Sequence, residues 1–322
     1  MTVYLLSLVT LAVIAGVVGL ALNIQWGMTG LVNFGLFGFY MVGAYACALL
    51  TTQLGWAPWQ AVIASIVLTT GVCALVSLIS VRLEDDYFAI VTLAFAESVK
   101  LIVNNEQWLT RGSIGIPGIP RPLPSDIGML VLAVAGLGLV FAVFETISRS
   151  PLGRTARALR DDPLVAETLG KNVLGTRLRL FALGGAALGI AGCLHAFYYQ
   201  YIDPTQFNVA MTASAFMLVI LAGRGSHRGV LVSSMTVVLV IEGTRFLDDY
   251  ISWLAPHQLA ALRLILIGLG LILLLIYKPR GFGREYRFVR RVPIITPNEG
   301  DCGQPPLRDK ALRLPTLESR ER

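Results

Sequence analysis

The sequence predicts an all-α, polytopic transmembrane helical bundle of about nine spans with one long cytoplasmic loop. Three observations lead there. Charged residues make up only 14% of the 322 positions and hydrophobic residues 55%, with a mean hydropathy of +0.69; soluble domains carry about 25% charged residues. Apolar runs recur along the chain, each long enough to cross about 30 Å of hydrocarbon as a helix. Segments of about ten alternating residues, the mark of a membrane barrel, do not occur. Third, the basic residues fall almost entirely in alternate loops.

The spans are placed at roughly 3–24, 33–52, 58–81, 87–104, 128–148, 180–201, 209–223, 229–247 and 259–277. The first has no Lys or Arg before its apolar run, and the run is too long for a signal core, so it reads as a transmembrane helix. Gly27, Gly30, Gly35 and Gly38 crowd the start of the second, which suits a broken or re-entrant helix. A membrane tolerates that only where protein or a cavity covers the backbone. Asp85, Asp86 and Tyr87 open the fourth span, the acids favouring a helix N-terminus or pairing with Arg82. Between the fourth and fifth spans, Gly112, Gly115, Pro117, Gly118 and Pro120 predict a rigid, sharply turned outer loop. It suits an outer gate, a seat for a partner or a plain surface turn. In the sixth span Gly184, Gly185 and Gly189 sit with no following lysine, so close helix packing explains them better than phosphate binding.

Orientation follows from the basic residues. One set of loops holds Arg82, the group from Arg149 to Arg179, Arg224, Arg228 and the group from Lys278 to Arg291, sixteen in all; the opposite set holds Arg111 and Arg121. The richer side is cytoplasmic. The N-terminus then lies outside and the C-terminus inside, and the net charge of +6 is a signature of topology, not of nucleic-acid binding. Residues 1–284 form the transmembrane domain. Residues 285–322 are polar, hold Pro293, Pro297, Pro305, Pro306 and Pro315, and read as a disordered cytoplasmic tail. Cys47, Cys73 and Cys193 lie inside apolar runs, and with Cys302 they show no metal-ligand spacing, so they read as small packing residues.

The loop from Arg149 to Gly170 has internal order. Leu152, Ala156 and Leu159 share one helical face, while Arg154, Arg157 and Arg160 follow each other at i+3 around another. Asp162 before Pro163 is a helix start, an N-cap acid followed by proline at the first position. Gly170 suits the stop. Two short cytoplasmic helices are expected, with Ala166 and Glu167 in the middle of the second. They fit either an amphipathic element on anionic lipid or a rigid knob that inserts into a cleft of a cytoplasmic partner.

Several stretches together resemble one family. RALRDDPLVAETLG is similar to the coupling loop of ABC importer permeases. GLVNFGLFGFYMVGAYACALL resembles the glycine-rich second helix of branched-chain amino acid permeases. DDYFAIVTLAFAESVKLIVNN, GSIGIPGIPRP and SPLGRTARALRDDPLVAETLG follow in that family's order. The resemblance spans about residues 20–285 and points to the longer, M-type permease subunit, in a family that also includes urea and amide permeases. Asn33 in GMTGLVNFG departs from the serine expected of most relatives. The resemblance implies a non-enzymatic subunit of a bacterial inner-membrane importer, without cofactors of its own. Its partners are a homologous second permease, two cytoplasmic ATPases that bind the ATP, and a periplasmic binding protein. The chain has no G-x-x-x-x-G-K-[ST] phosphate loop, in keeping with energy supplied by others.

On this reading Arg157, Arg160, Asp162, Pro163, Ala166, Glu167 and Gly170 couple to the ATPases, with Ala166 and Gly170 making the docking contacts and the arginines helping electrostatically. Ionisable residues inside spans mark function by default. Glu97 and Lys100 share a face at i, i+3 and can pair; Glu242 and Arg245 repeat that spacing. Such pairs either brace the bundle or line the cargo path, and Asn33, Glu97, Lys100 and Glu242 are the candidates for that path. His195 reads as a hydrogen-bonded packing residue, and Arg245 and Arg263 as snorkelling to the outer interface. Two rival functions stay open: the same architecture carrying urea or short amides, and an ion-driven secondary transporter using Glu97, Lys100 or Glu242.

Overall fold

The structure is a computed structural model that describes residues 2–80, 83, 85–243, 268 and 283. The ninth span apart from residue 268, the last residues of the eighth, the tail, Arg82, Arg245 and Arg263 lie outside the described residues. What is described is a helical bundle. Its long helices are α1 (Thr2–Leu22), α2 (Leu36–Thr52), α3 (Pro58–Ser80), α4 (Asp85–Asn105) and, after a single turn α5 (Gln107–Thr110), α6 (Asp126–Arg149). Two short helices follow, α7 (Pro151–Asp161) and α8 (Pro163–Thr168), then α9 (Val173–Tyr199), α10 (Val209–Ala222) and α11 (His227–Gly243). Among the described residues, five helical segments are long and apolar enough to cross a membrane, namely Tyr4–Gly27, Pro58–Ile79, Asp126–Arg149, Val173–Tyr199 and Pro204–Ala222; α2 is apolar but shorter.

The core is built by α9 and α2, with α1 and α3 against them. The close approach is set by missing side chains. A Cβ on Gly192 would lie 2.5 Å from the Ala44 backbone nitrogen, and one on Gly185 would lie 2.5 Å from the Cys73 sulfur. Glycine at those points lets α9 touch α2 and α3 backbone to backbone, the usual source of helix cohesion in lipid. Cys47, Cys73 and Cys193 are buried free thiols in this packing.

Helix α9 begins at Val173, seven residues before the sequence-derived start. Asn172 is the reason: its side-chain oxygen accepts from the Gly175 amide at 2.7 Å. The capped helix therefore carries Arg177 beyond the apolar run, where charge alone suggests loop. At the other end a two-stranded clasp forms between β1 (Ile116–Pro117) and β2 (Tyr201–Ile202), antiparallel with Ile116 opposite Ile202. Gly115 has φ +75, and a Cβ there would run into the Ile202 carbonyl. The loop between α4 and α6 is thus strapped to the end of α9, helped by Arg121, which bonds Asp126 at 2.9 Å and the Tyr198 carbonyl at 3.1 Å.

The expected break before the second span is present and lies between α1 and α2. The last turn of α1 widens into a π-turn over Asn23–Gly27, and Gly30 takes φ +83 before the chain turns into α2. Leu31, Asn33 and Gly35 are buried, so neighbouring helices cover this irregular backbone.

Candidate coupling and translocation elements

Local chemistry shapes the knob formed by α7 and α8. Ser150 caps α7, with Pro151 at its first position. The Asp162 carboxylate then accepts from the amides of Leu164 and Val165 at 2.9 and 3.1 Å, with Pro163 opening α8. The stop is a left-handed glycine turn. Gly170 has φ +71, its amide donates to the Glu167 carbonyl at 2.8 Å, and the Lys171 amide donates to the Ala166 carbonyl at 3.1 Å. The start at Asp162–Pro163 and the stop at Gly170 are where the sequence placed them.

The faces of the knob differ from expectation. Ala166 is only 2% exposed and packs inward, so it is not a surface contact. The cap at Asp162 fixes the phase of the two turns of α8, and that phase points Leu164, Val165 and Leu169 outward, 74%, 54% and 71% exposed. This apolar trio was missed; the signal available was three large apolar residues flanking a capped start in an otherwise charged loop. Glu167 and Gly170 are exposed as expected.

The arginines turn inward as well. Arg157 donates to the Ser148 carbonyl at 3.1 Å and to the Ser148 hydroxyl at 3.3 Å, closing the end of α6. Arg160 donates to the Gly27 carbonyl at 2.5 Å, across 133 residues of sequence. Cations at a helix C-terminus satisfy carbonyls that have no partner within the helix. The guanidinium of Arg160 thus ties the knob to the π-turn that ends α1, and its stem lies 3.6 Å from the Cβ position of Gly30. Both side chains are thus engaged within the subunit, on Ser148 and on Gly27.

Asn33 sits just beyond that tie. It is fully buried, and its amide donates to the Gln25 side-chain oxygen at 2.8 Å, while Gln25 donates to the Phe181 carbonyl at 3.0 Å. Asn23 holds the same turn from the other side, accepting from the Gly225 amide at 2.9 Å and contacting the His227 ring at 2.9 Å. The break is therefore stapled to α9, to the α10–α11 turn and to α7.

The other path candidates are not brought together. Glu97 and Lys100 are half-buried on α4, and among the described residues they pair neither with each other nor with another charge, contrary to the expected i, i+3 bridge. Spacing on a helix permits that pair but does not hold two long side chains together. Glu242 instead shares the wall of a cavity of about 230 Å³ with Tyr40, His195, Tyr199 and Ser214, between α1, α2, α9, α10 and α11. His195 is hydrogen-bonded at both ring nitrogens, to the Tyr40 hydroxyl and the Gln206 side chain, each at 2.9 Å, as its packing role requires.

Comparison with known proteins agrees with this architecture. The model of the family described as "Branched-chain amino acid transport system / permease component" matches residues 4–275. The chain is 29% identical over 304 residues to the high-affinity branched-chain amino acid transport system permease protein LivM of Escherichia coli K12, covering 85% of this chain and 69% of that one. It is 24% identical over 249 residues to LivH, the permease protein named for the same system in that organism (70% and 80% covered). To BraD of Pseudomonas aeruginosa it is 24% identical over 241 residues (68% and 78% covered). With the match running through all the described helices, the chain belongs to the family of permease components of branched-chain amino acid transport systems.

Proposed function

We propose that this chain is the membrane-spanning permease subunit of an ABC importer that moves branched-chain or related amino acids inward. The cargo follows from what the relatives are named for. The work comes from two cytoplasmic ATPases, since no phosphate loop occurs in the sequence. A periplasmic binding protein delivers cargo to the outer face, and a second, homologous permease completes the path. The N-terminus is outside, the C-terminus cytoplasmic, and the setting is the bacterial inner membrane, with 285–322 a tail beyond the transmembrane domain.

One observation carries the mechanism: the Arg160 tie between the capped knob and the carbonyl of Gly27. The exposed face of α8, with Leu164, Val165 and Leu169 and the Asp162, Pro163, Glu167 and Gly170 framework, docks in the ATPase cleft. Closure of the ATPase dimer displaces α7 and α8. Arg160 passes that displacement to the π-turn of α1, and the Gln25–Asn33 staple passes it across the break to α2, at the centre of the core. Movement of α2 against α9 alternates access. The chain performs no bond chemistry.

Reconstitution with the second permease, the ATPases and the binding protein tests this. Uptake of a branched-chain amino acid that requires ATP is the expected result. Uptake that survives ATP depletion and collapses with the proton gradient refutes it, and so does a complex that takes up urea in place of amino acids.

A further inference from the structure

Among the described helices α4, the fourth span read from the sequence, packs chiefly on α2, where Phe88, Thr92 and Ala96 are buried. Through their middle turns the outward faces of α3 and α6 are apolar, with Ile63, Val67 and Leu75 on one and Val131, Leu139 and Val143 on the other, and their exposed polar residues, Gln60 on α3 and Asp126, Thr146 and Arg149 on α6, lie toward the helix ends. Those faces suit acyl chains. On α4, Glu97 lies twelve residues and Lys100 fifteen from Asp85, about 18 and 22 Å along a helix of 21 residues at 1.5 Å per residue. Glu97 lies eight residues from the other end of the helix and Lys100 only five; both are half-buried, and among the described residues neither has an ion pair or hydrogen bond. Ser98, beside them, is exposed and satisfies its hydroxyl on the Ala94 carbonyl at 2.7 Å.

A carboxylate at the depth of Glu97 costs several kcal/mol in hydrocarbon, and an ammonium at Lys100, nearer the helix end, costs less; without a partner among the described residues, such groups face protein or water and are neutralised there. We propose that α4 is the helix this chain presents to its homologous permease partner, with Glu97 and Lys100 along the seam, paired with polar groups of that subunit. The inference rests on the reading of the chain as one of two permeases. The choice of occupant follows from two facts. The chain resembles both LivM and LivH, two permease proteins named for one transport system, so a homologue of this fold is the expected neighbour. The seam also carries one charge of each sign, which a related helix with its own polar positions can match and a lipid surface cannot.

The test uses the complete complex in membranes, with a photoreactive benzoylphenylalanine at Ala94 or Leu101 on the outward face of α4, and at Val67 of α3 and Val131 of α6 as controls. All four sites are exposed, so folding is preserved. Adducts to the second permease are expected from Ala94 and Leu101 and not from Val67 or Val131. Adducts from α4 to lipid alone, or to a second copy of this chain, in a complex that still contains the second permease and still transports, overturn the inference and leave the functional reading intact. A complex that never contains a second permease overturns both. As a second measurement, Glu97→Lys is expected to reduce co-elution of the second permease while the chain expressed alone stays monodisperse; unchanged co-elution removes Glu97 from the seam.

Discussion

Replacing Arg160 by alanine breaks the connection between the knob and the end of α1. The guanidinium is 2.5 Å from the Gly27 carbonyl, and its side chain is only 18% exposed, so water replaces it poorly. A hydrogen bond to a charged group contributes about 1.5–3 kcal/mol, and the favourable placement of a cation at a helix C-terminus is already part of that figure. At about 2 kcal/mol the tied arrangement loses roughly 30-fold in population relative to the untied one. The loss falls on transmission, because the caps at Ser150, Asp162 and Gly170 that fold the knob are untouched. The assay is cargo uptake and ATP hydrolysis measured together in vesicles. Arg160→Ala is expected to keep the ATPases bound and hydrolysing while uptake per ATP falls by up to roughly 30-fold. Arg160→Lys restores part of it, since an ammonium keeps the charge but not the planar fork. If Arg160→Ala assembles and its uptake per ATP stays within about twofold of the original, well under the 1.4 kcal/mol that a tenfold change represents, the tie transmits nothing and the mechanism is wrong.

Three further outcomes follow from the same geometry. Leu164→Asp, at a side chain 74% exposed, is expected to strip the ATPases from the purified complex without changing the melting temperature of the permease; retained ATPases would remove α8 from the docking surface. Gly170→Ala has free space around its Cβ, so its cost is the left-handed backbone alone, about 1 kcal/mol. Amide exchange at Gly170 and Lys171 should then quicken about fivefold, and unchanged exchange would show that the glycine turn is not holding α8. Gly192→Ala drives a Cβ to 2.5 Å from the Ala44 backbone nitrogen, and overpacking of this kind costs about 1–3 kcal/mol. A lower thermal midpoint in detergent is expected, against no loss for Gly71→Ala, whose Cβ meets nothing within 4 Å; equal behaviour of the two would contradict the close α2–α9 contact.

The chain's own order of residues determined the class of fold and the anatomy of the knob. Span length, the one-sided distribution of arginine, and caps such as Asp162–Pro163 and Gly170 act within a few residues of each other, so they are legible without a partner. Periodicity likewise marked the inward face of α7, where Ala156 and Leu159 are buried, and the glycines of the sixth span were rightly assigned to packing. Only the tertiary structure decided what each face meets. Nothing local to Arg160 points to Gly27, and nothing local to Ala166 says that it turns inward while Leu164, Val165 and Leu169 turn out. Glu97 and Lys100 have the spacing of a pair but not the contact, because a side chain goes where packing and solvation of the whole bundle are best. Short-range hydrogen bonds set the elements, and long-range contacts set their rotation and their neighbours; the tie from the knob to the π-turn, Arg160 to Gly27 across 133 residues, is of the second kind.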